Sequence, residues 1–171
     1  MSYDIGEVKN IHYGDILVKF GSYIDLASDE IPYIKNGTVA EYKSNLLQNG
    51  DVVFADTAED ETVGKAVEVI NTNCTNIVAG LHTMAYRPKS KFSPYFMAYY
   101  LNTDAYRRQL LPLMQGVKVL SLSRSNLAKT LLSYPTMLEE QAQIGTFFRT
   151  LDTIIATYKR KLDGLRKLKK A

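Results

Sequence analysis

The chain has 171 residues, 46% of them hydrophobic and 23% charged, enough for one domain with a real core and an appendage. From Tyr158 onward seven cations face one acid, a net +6, so the preceding 157 residues hold 14 cations against 17 acids, a net −3. No apolar run reaches the length of a membrane span, Asp4, Glu7, Lys9 and Asp15 argue against a leader, and the single Cys74, in the polar turn "NTNCTN", excludes an internal disulfide and a multi-cysteine zinc site, so a cytoplasmic protein is expected.

In chain order, the first half reads as short strands: "DILVKF" (15–20), "IPYIK" (31–35), "DVVFA" (51–55), "KAVEVI" (65–70) and "LHTMAYRP" (81–88) are β-rich or alternating. Turn clusters separate them, among them Asn36-Gly37, Asn49-Gly50 and "DTAEDETVG" (56–64). The second half turns helical. Ser93 is expected to cap a helix that Pro94 starts and that continues through "DAYRRQLL". A loop around Gly116 follows, then a short helix capped by Ser123 and a last short strand, "LLSY". The order predicts an α+β fold, with a mixed or barrel-like sheet followed by helices.

The chain closes on a long helix. Thr136 and Glu139 have the spacing of a capping box, with Pro135 fixing the approach. Ile144, Phe148, Leu151, Ile155, Tyr158, Leu162 and Leu165 then follow at spacings of 4, 3, 4, 3, 4, 3, a heptad seam widened by Phe147, Ile154 and Leu168. A helix from 137 to about 170 spans roughly 50 Å at 1.5 Å per residue. That exceeds the width of the preceding domain, so the seam predicts a partner helix.

Enzyme signatures are sparse. Neither a dinucleotide-binding glycine motif, a P-loop nor a serine nucleophile elbow is present, and His12 and His82 lack ligand spacing. Glu41 and Lys43, two apart, with Asp29 upstream, could hold a metal and activate water, though solvated charges beside a turn explain them as well. The polar loops offer more. "HYGD" (12–15), "DTAEDET" (56–62) and "QGVKVLSLSRSN" (115–126) carry groups suited to base edges and phosphates. The candidates are His12, Tyr13, Thr57, Glu59, Gln115, Lys118, Ser121, Ser123, Arg124 and Asn126, together with Arg87, Lys89 and Lys91, which would share one strand face.

The segment from "LSYP" onward resembles the end of a recognition domain and the following helix in type I restriction-modification specificity subunits. Pro135, Glu140, Gln141, Ile144, Phe148, Leu151, Asp152 and Ile155 stand at that family's hallmark positions. "NIHYGDILVKF", "LLQNGDVVFADTAEDETVGKAVEV" and "GVKVLSLSRSNLAK" are similar to recurrent segments of its recognition domains. The resemblance implies a DNA target recognition domain at 1–135 and a spacer and dimerisation helix at 136–171. The family's subunit normally has two such domains and two antiparallel helices, so this chain matches about half. The implied partners are double-stranded DNA, methyltransferase subunits, a restriction subunit reached through them, and a second copy paired through the seam. Catalysis would belong to those other chains, with no cofactor or metal held here. A stand-alone nuclease using Asp29, Glu41 and Lys43, or a coiled-coil adaptor that does not bind DNA, are the alternatives.

Overall fold

A computed structural model describes residues 1–3, 5–73 and 75–170, the last without its side chain; Asp4, Cys74 and its expected turn position, and Ala171 lie outside the described residues. The order begins β1 (Lys9–Ile11), α1 (Tyr13–Val18), β2 (Tyr23–Asp25), α2 (Val39–Tyr42), β3 (Val52–Ala55), β4 (Thr57–Ala58), β5 (Ala66–Ile70), β6 (Ile77–Ala79) and β7 (Thr83–Tyr86). It ends α3 (Phe96–Tyr100), α4 (Asp104–Leu110), β8 (Leu120–Ser121), α5 (Arg124–Leu127) and α6 (Leu138–Lys170).

A four-stranded sheet in the order β2-β5-β3-β7 forms the centre, with β2 parallel to β5 and the other pairs antiparallel. Two small ladders flank it, parallel β1-β6 and antiparallel β4-β8. The fold is α+β with a mixed sheet. Strand alternation explains the layering. Val52, Phe54, Ala66 and Met84 face one core with Phe96, Met97, Leu101 and Leu110 from α3 and α4. Val53, Ala55, Val67 and Val69 face a second core with Ile11, Ile16, Ile24 and Ile77. A strand covered on both faces reads as a continuous apolar run, which is why "DVVFA" and "KAVEVI" were visible.

Three expected strands are absent among the described residues. "DILVKF" is largely α1: His12 caps it by accepting from the Gly14 N–H at 3.2 Å, and Ile16 is buried while Val18 is exposed. Alternation over six residues also fits a single helical turn. In "IPYIK" only Tyr33 makes ladder-type bridges, to Ser2 and Lys9. In "LLSY" side chains satisfy the backbone instead: the Leu131 N–H donates to Gln109 Oε1 and the Ser133 N–H to the Tyr100 hydroxyl.

The helices differ from expectation at their starts. Ser93 does not cap α3, and Tyr95 precedes that helix with a left-handed φ of 70°. The expected continuous helix breaks after Tyr100, and Thr103 caps α4 separately. Asn102 explains the break. Its amide bonds both the N–H and the C=O of Ala66, pairing a helix end with β5 as a strand would. α6 begins at Leu138, one residue later than a Thr136 capping box would place it.

Gln141 in the first turn of α6 fixes it to the domain. It is 1% exposed, accepts from the Ser93 N–H at 3.0 Å and donates to Pro135 O at 2.7 Å, while Ser93 Oγ donates to Leu138 O. One turn on, Gly145 packs so closely that an added Cβ would lie 2.9 Å from Pro94 O. Phe148 then rests on Tyr99 at 5.3 Å between ring centroids, Arg149 lies over the Tyr95 ring at 4.8 Å, and the Tyr99 hydroxyl donates to Asp152 at 2.8 Å.

Candidate nucleic-acid interface

The three polar loops meet at one end of the β3–β7 ladder. Tyr13 opens α1, stacks at a tilt on His12 at 4.6 Å and meets the edge of His82 at 5.4 Å. His82 stands in a left-handed turn at φ 56°, and its carbonyl accepts from the Asp56 N–H. Its Nδ1 lies 3.4 Å from both Thr57 Oγ1 and Asp56 Oδ1. Thr57 pairs with Ser121 across β4-β8, and Ser121 in turn bridges to Gln115. His12, Tyr13, Thr57, Ser121 and Gln115, distant in sequence, thus form one continuous strip. His82 belongs to it although the sequence reading placed it in a strand: the left-handed residue of the turn is the histidine itself, not a glycine or asparagine.

Glu59 follows β4 in an exposed bend. Asp60 shapes that bend by accepting from the Thr62 N–H and hydroxyl, which hold its carboxyl below its ordinary range. Ser123 caps α5, accepting from the Asn126 N–H at 3.1 Å, as its sequence position suggested. Asn126 is engaged on both sides of its amide, donating to Leu113 O and accepting from Lys129.

The cations divide. Lys118 is exposed in the loop beyond Gln115. Arg124 lies over the Tyr86 ring at 5.3 Å and donates to Ala85 O, on the flank of β7. Arg87 sits at the opposite end of the ladder from Thr57 and is committed to structure. Its Nε and Nη2 bond buried Asp51 at 2.8 and 2.7 Å, and that pairing raises the pKa of the guanidinium further. β7 stops at Tyr86, so Lys89 and Lys91 follow Pro88 in irregular chain and share no strand face with Arg87. They border a cavity of about 580 Å³ with Asp51 and Glu68, apart from the polar strip.

Charge in the domain is far more polarised than its total suggests. From residue 69 to residue 138 there are eight cations and one acid, Asp104, whereas residues 1–68 hold five cations and thirteen acids. Running sums along the sequence would have exposed this; the balance of the two stretches together, −1, concealed it. Lys65 and Arg107, where the two halves meet, are both pushed down in pKa by burial.

Two of the three nuclease candidates, Glu41 and Asp29, make structural hydrogen bonds. Glu41 lies on α2, not on a strand, and accepts from the Thr38 N–H as half of a capping box. Asp29 accepts from the Asp25 N–H in a turn. Among the described residues no group of three acidic, histidine or cysteine side chains could hold a metal.

Along α6 the seam changes character. Ile144 packs against the domain core and Phe148 rests on Tyr99. Leu151 is 38% exposed and Leu165 64%, with Ile155, Tyr158 and Leu162 between them also exposed. Phe147, Ile154 and Leu168 extend this uncovered stripe. No helix among the described residues is long and apolar enough to cross a membrane.

The chain is thus a small α+β unit that gathers polar loops at one end and sends out a helix with an uncovered apolar seam. The sequence profile of the type I restriction modification DNA specificity domain matches residues 1–167, and the chain belongs to that family. Among solved structures, it is similar to a chain from work described as the structural basis underlying complex assembly and conformational transition of the type I R-M system. The two share 17% identity with a TM-score of 0.57, and the match covers 94% of this chain and 34% of the other. The chain therefore spans about a third of the solved chain's length, and the likeness speaks for the fold. Among curated proteins none matches.

Proposed function

We propose that the chain is a sequence-reading subunit of a type I restriction-modification enzyme. Residues 1–135 would read one half-site of double-stranded DNA, and residues 136–171 would pair with a second copy and help dock methyltransferase subunits, through which a restriction subunit joins. The observation that carries the reading is the strip of His12, Tyr13, Thr57, Ser121 and Gln115 beside Lys118, on a domain whose positive charge is gathered into residues 69–138. Phosphate contacts from cations set position, and the neutral amides and hydroxyls set sequence. The chain itself neither cuts nor methylates DNA, and it works in the cytoplasm beside the chromosome.

The test is a complex of the full chain with type I methyltransferase subunits, its adenine methylation mapped across a genome. The expected result is methylation at one defined motif, with Gln115→Ala relaxing discrimination at one base pair, by roughly 1–3 kcal/mol if the contact is bidentate. Methylation without any motif, or metal-dependent nicking by the chain alone that Glu41→Gln abolishes, would refute the reading.

A further inference from the structure

Val117 is the most exposed large apolar side chain among the described residues, at 99%. It stands at the tip of a loop with a rigid base. The Gln115 N–H donates to Ser121 O at 2.9 Å and the Ser121 N–H donates to Gln115 O at 2.7 Å, and the adjoining Leu120–Ser121 strand is laddered to Thr57–Ala58. Gly116 turns the chain at φ 119°, where a Cβ would lie 1.9 Å from Val119 O, so the turn admits no side chain. Tips of this kind are ordinarily built from Gly, Asn, Asp or Ser. Here two valines flank Lys118 and contribute little to the protein's own core, Val119 being 52% exposed. A braced apolar tip suits contact with another molecule.

Charge and chemistry name that molecule. The tip grows out of the polar strip at Gln115 and Ser121, with the exposed Lys118 between the valines and no acidic residue in the sequence from 105 to 138. An exposed lysine among hydrogen-bonding groups suits polyanionic DNA, whose phosphates attract the cation. A valine can neither donate nor accept a hydrogen bond. The apolar mark that a base pair displays in the major groove is the C5-methyl group of its pyrimidine, native to thymine and shared by 5-methylcytosine. We propose that Val117 is a specificity-determining residue that packs on the C5-methyl of a thymine in the half-site, while Lys118 holds a neighbouring phosphate. The proposal rests on the DNA-reading function above and adds the base feature that the loop recognises.

The experiment uses the full chain assembled with methyltransferase subunits and the motif found by methylation mapping. Duplexes carrying that motif are made with deoxyuridine at each thymine in turn, and separately with 5-methylcytosine at each cytosine. One thymine position is expected to weaken wild-type binding about fourfold when its methyl is removed, the worth of one buried methyl group. Val117→Ala should bind the unmodified duplex about fourfold more weakly and show no further loss with deoxyuridine there. Four outcomes overturn the proposal: no position is sensitive to the methyl; only 5-methylcytosine changes binding; Val117→Ala keeps the wild-type sensitivity; or Val117→Ala loses methyltransferase subunits instead, marking a protein contact. A complex that selects no motif overturns the DNA-reading function as well. A complex that selects one while Val117→Ala behaves as wild type overturns the Val117 assignment alone.

Discussion

Arg87 and Lys118 are alike in the sequence, each a cation in a polar stretch, and the structure separates them. Arg87→Ala would strand the buried carboxylate of Asp51, so a loss of about 2 kcal/mol in denaturant unfolding is expected, discounted because the arginine is half exposed. Lys118→Ala should leave unfolding unchanged, weaken binding to all DNA alike and lower the salt slope by about one. Stable Arg87→Ala protein with a reduced salt slope would reverse these assignments. Glu68 gives a second residue-scale expectation. Burial pushes its carboxyl up to about 7, although the N–H groups of Tyr95 and Ala98 donate to it and pull the other way. A carboxyl with a raised folded pKa holds its proton more tightly in the native state. Its stabilising contribution is complete below the unfolded value near 4.5 and is lost as pH rises toward 7. Unfolding free energy should therefore fall by roughly 2–3 kcal/mol across that window, and Glu68→Gln should flatten the profile. Equal slopes in both proteins would show that Glu68 titrates normally.

At the scale of the element, α6 offers an internal comparison. Gly164 has nothing within 4 Å of an added Cβ, whereas Gly145 faces the backbone of Pro94 and Phe96 at 2.9 and 3.2 Å. Gly164→Ala should raise stability by about 0.5–1 kcal/mol through helix propensity alone. Gly145→Ala should lower it despite the same propensity gain, because backbone atoms cannot step aside. Thermal melts of the two variants shifting in the same direction would contradict the packing at the junction. The seam makes a further prediction. If α6 pairs antiparallel with a second copy, Leu151→Asp combined with Ile155→Asp should convert a dimer to a monomer in light scattering at tens of micromolar, since buried unpaired carboxylates cost several kcal/mol. A wild-type monomer at that concentration would remove the pairing.

Across the whole molecule, what was legible in the sequence follows from how local each determinant is. β3, β5 and α6 were visible because strand alternation and the heptad repeat are written along the chain itself. The first turn of α1 and the break between α3 and α4 were not, because a histidine cap and an asparagine pairing with Ala66 decide them. The polar loops were read separately and His82 was left out; their contiguity through β4-β8 and His82 depends on strands of two residues, too short to leave a pattern. Arg87 was misplaced with Lys89 and Lys91 since spacing alone does not reveal that Asp51 lies beneath it.

The anchoring of α6 bears on how such a protein could be re-engineered. Pro135, the last residue before the approach to α6, is the natural point at which to exchange one head domain for another. Yet the contacts that orient the head run past it: Gln141 to Ser93, Arg149 to Tyr95, Asp152 to Tyr99. A chimera spliced at residue 135 would join a foreign head to a helix lacking its sockets, and the angle between them would be lost even if both parts folded. A transplant that carries the helix through Asp152 keeps the sockets with the head and moves the splice to solvent-facing turns, where it disturbs only the seam.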